Sequence, residues 1–396
     1  MNVAVAAASL ALTILVLEGL ARFAEREAAP GGTTLADYSE YDPLLGWRKR
    51  PGAHLTFRRR EYTVDFALNR YGLRDPERGY EAPPGTMRVL ALGDSFVEGF
   101  GVPLEQTVTQ VLETTLRGRG CPVEVLNGGT TGYSTDQEYL FYRTDGARYS
   151  PFVVILFFYY NDILYNERQT YMGGLPKPVF VFRDGALRLY RSPVPRPSPP
   201  PAPAATPAEG HDGESWSALV RWLQERLWFG APRAYNVLGR LGLWPANRPR
   251  GARLEFRVYE RRRIPEIEGA WEKTAGLLAE LNQEVASHGA RLLVAYIPSR
   301  MEVNDRAWQL TRERDGLEAE DWDRGLVARR LEEIGRAARV PVLDLTAALR
   351  RTDHGFLGGP YYTYDGHWNA RGHQVAAEEV GRFLREQAWL PPCPGR

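Results

Sequence analysis

Cysteine is scarce in this 396-residue chain, which has only Cys121 and Cys393. Two are too few for a disulfide-built scaffold or a cysteine zinc site. They can pair if the folded part lies outside the cytoplasm, or stand as unrelated thiols. Lysine is nearly missing too: among 50 basic residues only Lys49, Lys177 and Lys273 are not arginine. Net charge is also lacking, since 50 basic against 49 acidic side chains leave +1. With no concentrated basic tract, nothing draws the chain toward nucleic acid. The six histidines include no HExxH pattern. His354 and His373 sit near His367 without the spacing of a zinc set, so neither metal nor cofactor is expected.

What is present suits a packed protein. Hydrophobic residues make up 43% and charged residues 25%, enough to offset the ordering entropy of a core. The length fits one large or two modest domains. Residues 3–23 are almost all apolar, broken by Glu18. As a helix rising ~1.5 Å per residue they would span about 30 Å, one hydrocarbon core. A cleaved signal peptide needs a basic start and a small-x-small cleavage site. Only the α-amino group is positive before Val3, and no clear site follows, so residues 1–24 read as an uncleaved transmembrane anchor. A buried core helix is the third reading, because Glu18 is costly in lipid. Arg22 and Arg26 would by themselves keep the following side cytoplasmic.

Residues 25–86 form a β-rich lead-in, in which "HLTFRRREYTVDFALNRYGLRD" alternates apolar and polar positions and ends in turn formers. From Met87 the pattern changes to short buried strands, "MRVLALGD", "PVEVLNGG" and "FVVILFFYYND", with a helix in "TVTQVLETTLRGRG". The rhythm returns near residue 263. "WEKTAGLLAELNQEVASHGA" reads as helix, "RLLVAYIPS" as strand, 321–339 as helix and "VPVLDLTAAL" as strand then turn. A loop capped by Asn369 then leads into a last amphipathic helix. Strands alternating with helices predict an α/β fold with a parallel central sheet over 87–173 and 263–390. An insertion, 174–262, splits it. The insertion holds a Pro-rich tract at 192–210 that should be extended and solvated. After it comes a Trp-rich stretch, 216–244, suited to an amphipathic helix pair packed on the core, a partner surface or a membrane contact.

Chemistry concentrates in four places. In "LALGDSFVEG", Ser95 follows a strand at the head of a helix, on the carboxyl edge of a parallel sheet. Backbone N–H groups point outward there and can hold an oxyanion. Asp94 orders the turn. Alone, such a serine is more often a helix cap. In "YYTYDGHWNARGH", His367 titrates near working pH and can take the serine proton. Asp365, two residues earlier, can fix its tautomer and stabilise the imidazolium. "VLNGGTTGYS" offers the N–H of Gly132, with no Cβ in the way. "VILFFYYNDI" offers the amide of Asn161 just past a strand. Each is commonplace singly; together they supply every part of an acyl-transfer site.

These four pieces, in this order, resemble the blocks of the SGNH hydrolases, the GDSL-like lipases and esterases. Gly93-Asp94-Ser95 matches the first block and Asn127 through Gly132 the second. The third, usually Gly-x-Asn-Asp, is Tyr159-Tyr160-Asn161-Asp162 here. The last has one residue, Gly366, between Asp and His in place of two, and its Asp-Gly-His-Trp form resembles the branch with alginate O-acetylation proteins. The likeness covers residues 87–163 and 267–384. It implies a three-layer α/β/α flavodoxin-like fold. It also implies Ser95 as nucleophile with Asp365 and His367, and an oxyanion hole from the Ser95 and Gly132 N–H groups and Asn161. "YDPLLGWRKRPGA" resembles the lead-in of membrane-anchored bacterial members, which implies a domain outside the cytoplasmic membrane. The expected activity is a serine esterase on O-acyl, chiefly O-acetyl, groups of a carbohydrate or cell-envelope glycan. The alternatives are an exopolysaccharide O-acetyltransferase, a lipase acting on long acyl chains, and a non-catalytic carbohydrate binder whose Tyr133, Tyr159, Tyr160 and Trp368 stack on sugars.

Overall fold

Five apolar runs form one parallel sheet: β1 (Met87–Leu92), β2 (Val123–Asn127), β3 (Val153–Tyr159), β4 (Arg291–Ile297) and β5 (Val342–Asp344). The computed structural model describes residues 2–28, 34–197, 217–244, 254–355 and 358–390. The strands lie in the order β2-β1-β3-β4-β5, all pairs parallel. This is the flavodoxin-like winding, in which ligands sit outside the carboxyl ends of the strands where the order reverses, here between β1 and β3. Register pairs Leu92 with Leu156, so the loops after both strands open at one edge. Six of the seven β3 residues are buried, because a sheet covered on both faces leaves no polar side.

The longer helices are α1 (Asn2–Ala28), α2 (Val108–Arg117), α3 (Thr135–Thr144), α4 (Ala218–Gly230), α5 (Pro232–Arg240), α6 (Pro265–Ser287), α7 (Asp305–Asp315), α8 (Leu326–Ala338) and α9 (Ala370–Glu386). Side chains alternate across a strand. Val89 and Ala91 of β1 therefore meet α2 and α9 through Leu112, Leu116, Val380 and Leu384. Leu90 and Leu92 meet α3, α6 and α8 on the other face, through Leu140, Leu278, Leu281 and Leu331. This gives the three-layer α/β/α arrangement.

Ahead of the sheet, the lead-in folds as two antiparallel hairpins, Ser39–Asp42 with Gly46–Lys49 and His54–Arg58 with Thr63–Ala67. The second closes a small core of Tyr38, Phe57, Val64 and Phe66. Between β3 and α6 lie a third hairpin, Phe180–Arg183 with Ala186–Leu189, and the pair α4 and α5. Within α1, the 22-residue stretch Val3–Ala24 contains an 18-residue window of mean hydropathy 2.2, none of it buried, so the helix is long and apolar enough to cross a membrane.

The structure departs from the sequence reading in two elements. The helix expected from residue 321 starts at Leu326, because Asp323 Oδ1 accepts the Gly325 N–H at 3.0 Å and closes a turn first. After β5 the chain forms a helix, Thr346–Arg351, rather than a turn; Asp344 Oδ1 accepts the Thr346 N–H at 2.8 Å and starts it. Residues 198–216 of the insertion, including most of the Pro-rich tract and Trp216, lie outside the described residues. Cys121 is buried and disulfide-bonded; Cys393, the other cysteine, also lies outside them.

Candidate active site

Ser95 is the first residue of a short helix, Ser95–Glu98, directly after β1. Asp94 caps that helix, its Oδ1 accepting the Phe96 N–H at 2.9 Å. Burial pushes the Asp94 carboxyl up to about 6. Asp365 and His367 come from the loop before α9. The His367 Nε2 lies 2.7 Å from Ser95 Oγ, although the two residues are 272 positions apart. Its Nδ1 lies 2.5 Å from Asp365 Oδ1. With the proton on Nδ1 shared toward the carboxylate, Nε2 is left to accept from the serine hydroxyl. Gly366, between them, has a φ of +84°. That left-handed backbone turns two side chains only two positions apart to the same side, which a Cβ would oppose.

The electrostatics follow from this geometry. Burial opposes a charged Asp365, but the adjacent His367 and hydrogen bonds from His367 and Tyr62 win and hold its carboxyl down to about 2. Burial likewise opposes a protonated His367, yet the Asp365 carboxylate prevails and raises its pKa above the ordinary 6.5. The rings of Phe96 and Phe100 flank the imidazole at 4.9 and 5.3 Å.

Two residues at this site were not visible in the sequence. The Tyr62 hydroxyl donates to Asp365 Oδ2 at 2.9 Å, across 303 positions. Its neighbour Glu61 accepts three consecutive backbone N–H groups, from Thr363, Tyr364 and Asp365, at 2.6, 2.8 and 3.0 Å. Both sit at the tip of the second lead-in hairpin, and a hairpin tip carries no local sign of what it will reach. Lysine rarity was a usable signal. Lys49, buried, donates to the Gly129 carbonyl. Lys177, fully buried, donates to Ser134 Oγ at 2.6 Å, to Asp136 at 2.9 Å and to the Tyr165 carbonyl at 2.7 Å. It thereby ties the loop after β2 to the helix after β3.

The oxyanion candidates lie on those two connections. The N–H groups of Gly128, Gly129, Thr130 and Thr131 are all donated, whereas that of Gly132 is given to none of the described residues. Gly132 has a φ of +80°, and a Cβ there would lie 2.6 Å from the Tyr171 ring. Asn161 follows β3 and starts the short helix Asp162–Tyr165. Its side-chain oxygen is buried without a hydrogen-bond partner among the described residues; that atom is an acceptor, and only the side-chain NH2 could donate to an oxyanion. Where the resembling family has glycine, Tyr159 simply ends β3 with no left-handed backbone.

Of the four aromatics expected as sugar platforms, Trp368 and Tyr133 are buried in the core. Trp368 packs edge-on against Phe96 at 5.2 Å, so neither can stack on a ligand. Tyr159 and Tyr160 do line a cavity beside Asp365 and Gly366, together with Phe229, Phe256 and Arg300. His373 belongs to the core: its Nδ1 accepts the Val108 N–H at 3.1 Å.

Comparison with known proteins adds the following. Residues 256–395 match the family described as the SGNH hydrolase-like domain of the acetyltransferase AlgX. Among solved structures, the chain is similar to the acetyl xylan esterase AlAXEase, at 11% identity over 75% of this chain and 100% of that one, with a TM-score of 0.40. It is also similar to a lipase/acylhydrolase from Enterococcus faecalis, at 11% identity over 76% and 96%, TM-score 0.38. TesA matches at 12% identity over 76% and 99%, TM-score 0.37. A search of curated proteins gives no match.

Proposed function

We propose that this chain, which carries an SGNH hydrolase-like domain, is a membrane-anchored serine acyl hydrolase acting on O-acyl groups of a carbohydrate or cell-envelope glycan. The observation that carries the reading is the unbroken run of hydrogen bonds from Tyr62 through Asp365 and His367 to Ser95 Oγ. A hydroxyl is a poor nucleophile until a base takes its proton. In the proposed reaction His367 Nε2 takes it as Ser95 Oγ attacks the ester carbonyl. The oxyanion is held by the Ser95 and Gly132 N–H groups and the Asn161 amide. His367 then gives the proton to the departing sugar oxygen, the ester C–O bond breaks, and an acyl-Ser95 remains. Water then gives a proton to His367 Nε2 as its oxygen attacks the acyl carbon; the bond to Ser95 Oγ breaks, His367 returns the proton to Oγ, and the acid leaves. Asp365 orients the imidazole and offsets its positive charge, and Tyr62 and Glu61 hold Asp365 in place.

Transfer of the acyl group to a second glycan hydroxyl is the other reading, favoured by the match to an acetyltransferase domain. It differs only in the acceptor, which must exclude water from the acyl-enzyme. The aromatic cavity beside Asp365 offers room for that acceptor. The disulfide at Cys121 suits an oxidising compartment and α1 suits an anchor; both support a reading with the domain outside the cytoplasmic membrane.

A fluorophosphonate probe should label the chain at Ser95, and Ser95→Ala should abolish both labelling and p-nitrophenyl acetate turnover. Turnover that survives the substitution would overturn the enzymatic reading. Mass spectrometry of products formed with an oligosaccharide acceptor separates the two acceptors: free acetate alone means hydrolysis, and an acetylated oligosaccharide means transfer.

A further inference from the structure

The one acidic residue within the apolar span, Glu18, does not stand alone. Its carboxylate accepts from Ser217 Oγ at 2.7 Å and from the backbone N–H groups of Ala218 and Leu219 at 3.0 and 2.9 Å. Those are the first amides of α4, which have no intrahelical acceptor. Glu18 thus caps α4 from within α1, where charge is favoured by the helix N-terminus. It lies six residues before Ala24, the end of the span, or about 9 Å along a helix. That depth matches the roughly 5–10 Å at which amphipathic helices lie in the headgroup and acyl boundary.

What α4 and α5 leave uncovered fits the same place. Among the described residues outside α1, five of the ten large apolar side chains that are exposed fall within residues 217–244: Trp222, Leu223, Val237, Leu241 and Leu243. Leu241 and Leu243 are 72% and 63% exposed. The segment holds four arginines, Arg221, Arg226, Arg233 and Arg240, against one glutamate, Glu225. The Arg226 guanidinium lies 5.1 Å from the Trp222 ring. An apolar surface edged by arginine suits anionic headgroups.

We infer that α4 and α5 form a second membrane contact, lying on the bilayer that holds α1, with lipid covering Trp222, Leu223, Val237, Leu241 and Leu243. The inference rests on the reading of α1 as an anchor. It has a consequence for the proposed chemistry. The far end of α4 brings Phe229 against Tyr364, ring centroids 5.0 Å apart, and Phe229 lines the cavity beside Asp365. One turn before Phe229, Glu225 is ion-paired with Arg60, adjacent to Glu61 and Tyr62. The helix that rests on lipid is therefore a wall of the reaction cleft, and α4, at 13 residues, is only about 20 Å long. The cleft opens close to the bilayer surface.

The test uses the full chain reconstituted in vesicles of phosphatidylcholine and phosphatidylglycerol. Spin labels go on Leu223→Cys, Leu241→Cys and Leu243→Cys, with Leu12→Cys in the anchor and Glu378→Cys on α9 as references. Circular dichroism establishes that each variant is folded. The expected result is that labels 223, 241 and 243 collide severalfold more with oxygen than with a water-soluble nickel chelate, as label 12 does, while label 378 shows the reverse. If those three labels behave like 378 while label 12 reports lipid, the inference is overturned and the anchor stands. If label 12 also reports water, the anchor reading falls and the inference with it.

Discussion

A single carboxylate decides how the imidazole works. Because Asp365 keeps His367 protonated above its ordinary range, kcat/KM for p-nitrophenyl acetate should rise with pH along a limb centred above 6.5. Asp365→Asn removes that carboxylate and leaves burial, which favours the neutral ring. The limb should shift to lower pH, while kcat drops by roughly 10⁴-fold because the tautomer is no longer held. A pH–rate profile unmoved by the substitution would show that Asp365 does not govern His367. The same pair has a signature in stability. The raised His367 contributes stability that is complete below 6.5 and fades as pH rises through its folded value; the depressed Asp365 contributes above 3.8 and fades as pH falls toward about 2. Ser95, Asp365 and His367 were legible because each lies in a short phrase with its own local logic, a strand end or a spaced Asp-Gly-His. Tyr62 and Glu61 were not, since their roles exist only after two distant hairpin and loop segments meet. Trp368 misled for a related reason: an aromatic beside a candidate histidine looks like a ligand platform until Phe96 and Phe157 pack against its ring.

At the level of elements, the lead-in hairpin is bound to the loop that carries Asp365 and His367. Glu61 stabilises three successive amides of the segment that carries Asp365, and a charged acceptor there is worth more than a neutral one. Glu61→Gln should let Asp365 and His367 drift from Ser95. Since Glu61 contacts loop backbone and not substrate, kcat should fall on the order of 100-fold with KM little changed, as misplacement of about 1 Å can cost. Steady-state kinetics check this, and a KM effect without loss of kcat would reject it. The strands of the sheet were readable because burial on both faces leaves continuous apolar runs. Helices α3 and α7 gave no such signal: α7, "DRAWQLTRERD", buries only Leu310 and Thr311, and α3 buries acids and aromatics that follow no simple apolar stripe.

For the molecule as a whole, the proposed anchor and the proposed active site should be separable in chemistry although α1 and α4 are joined through Glu18. A fragment beginning at residue 34 keeps the sheet, the lead-in hairpins and the run from Tyr62 to Ser95. It should turn over soluble p-nitrophenyl acetate at a rate close to that of the full chain, while losing most co-sedimentation with vesicles. It also loses the Glu18 cap on the first amides of α4. Limited proteolysis should therefore cut within residues 217–230 sooner than in the full chain; equal cutting rates would show that α4 does not depend on α1. A different consequence follows from the distances along the chain, 272 residues between Ser95 and His367 and 303 between Tyr62 and Asp365. Translation delivers the hydroxyl 272 residues before the imidazole. On the proposed chemistry, a chain that ends before residue 367 carries a serine with nothing to ionise it, so reactivity toward esters waits until the segment with Asp365 and His367 has been made and has folded against Ser95.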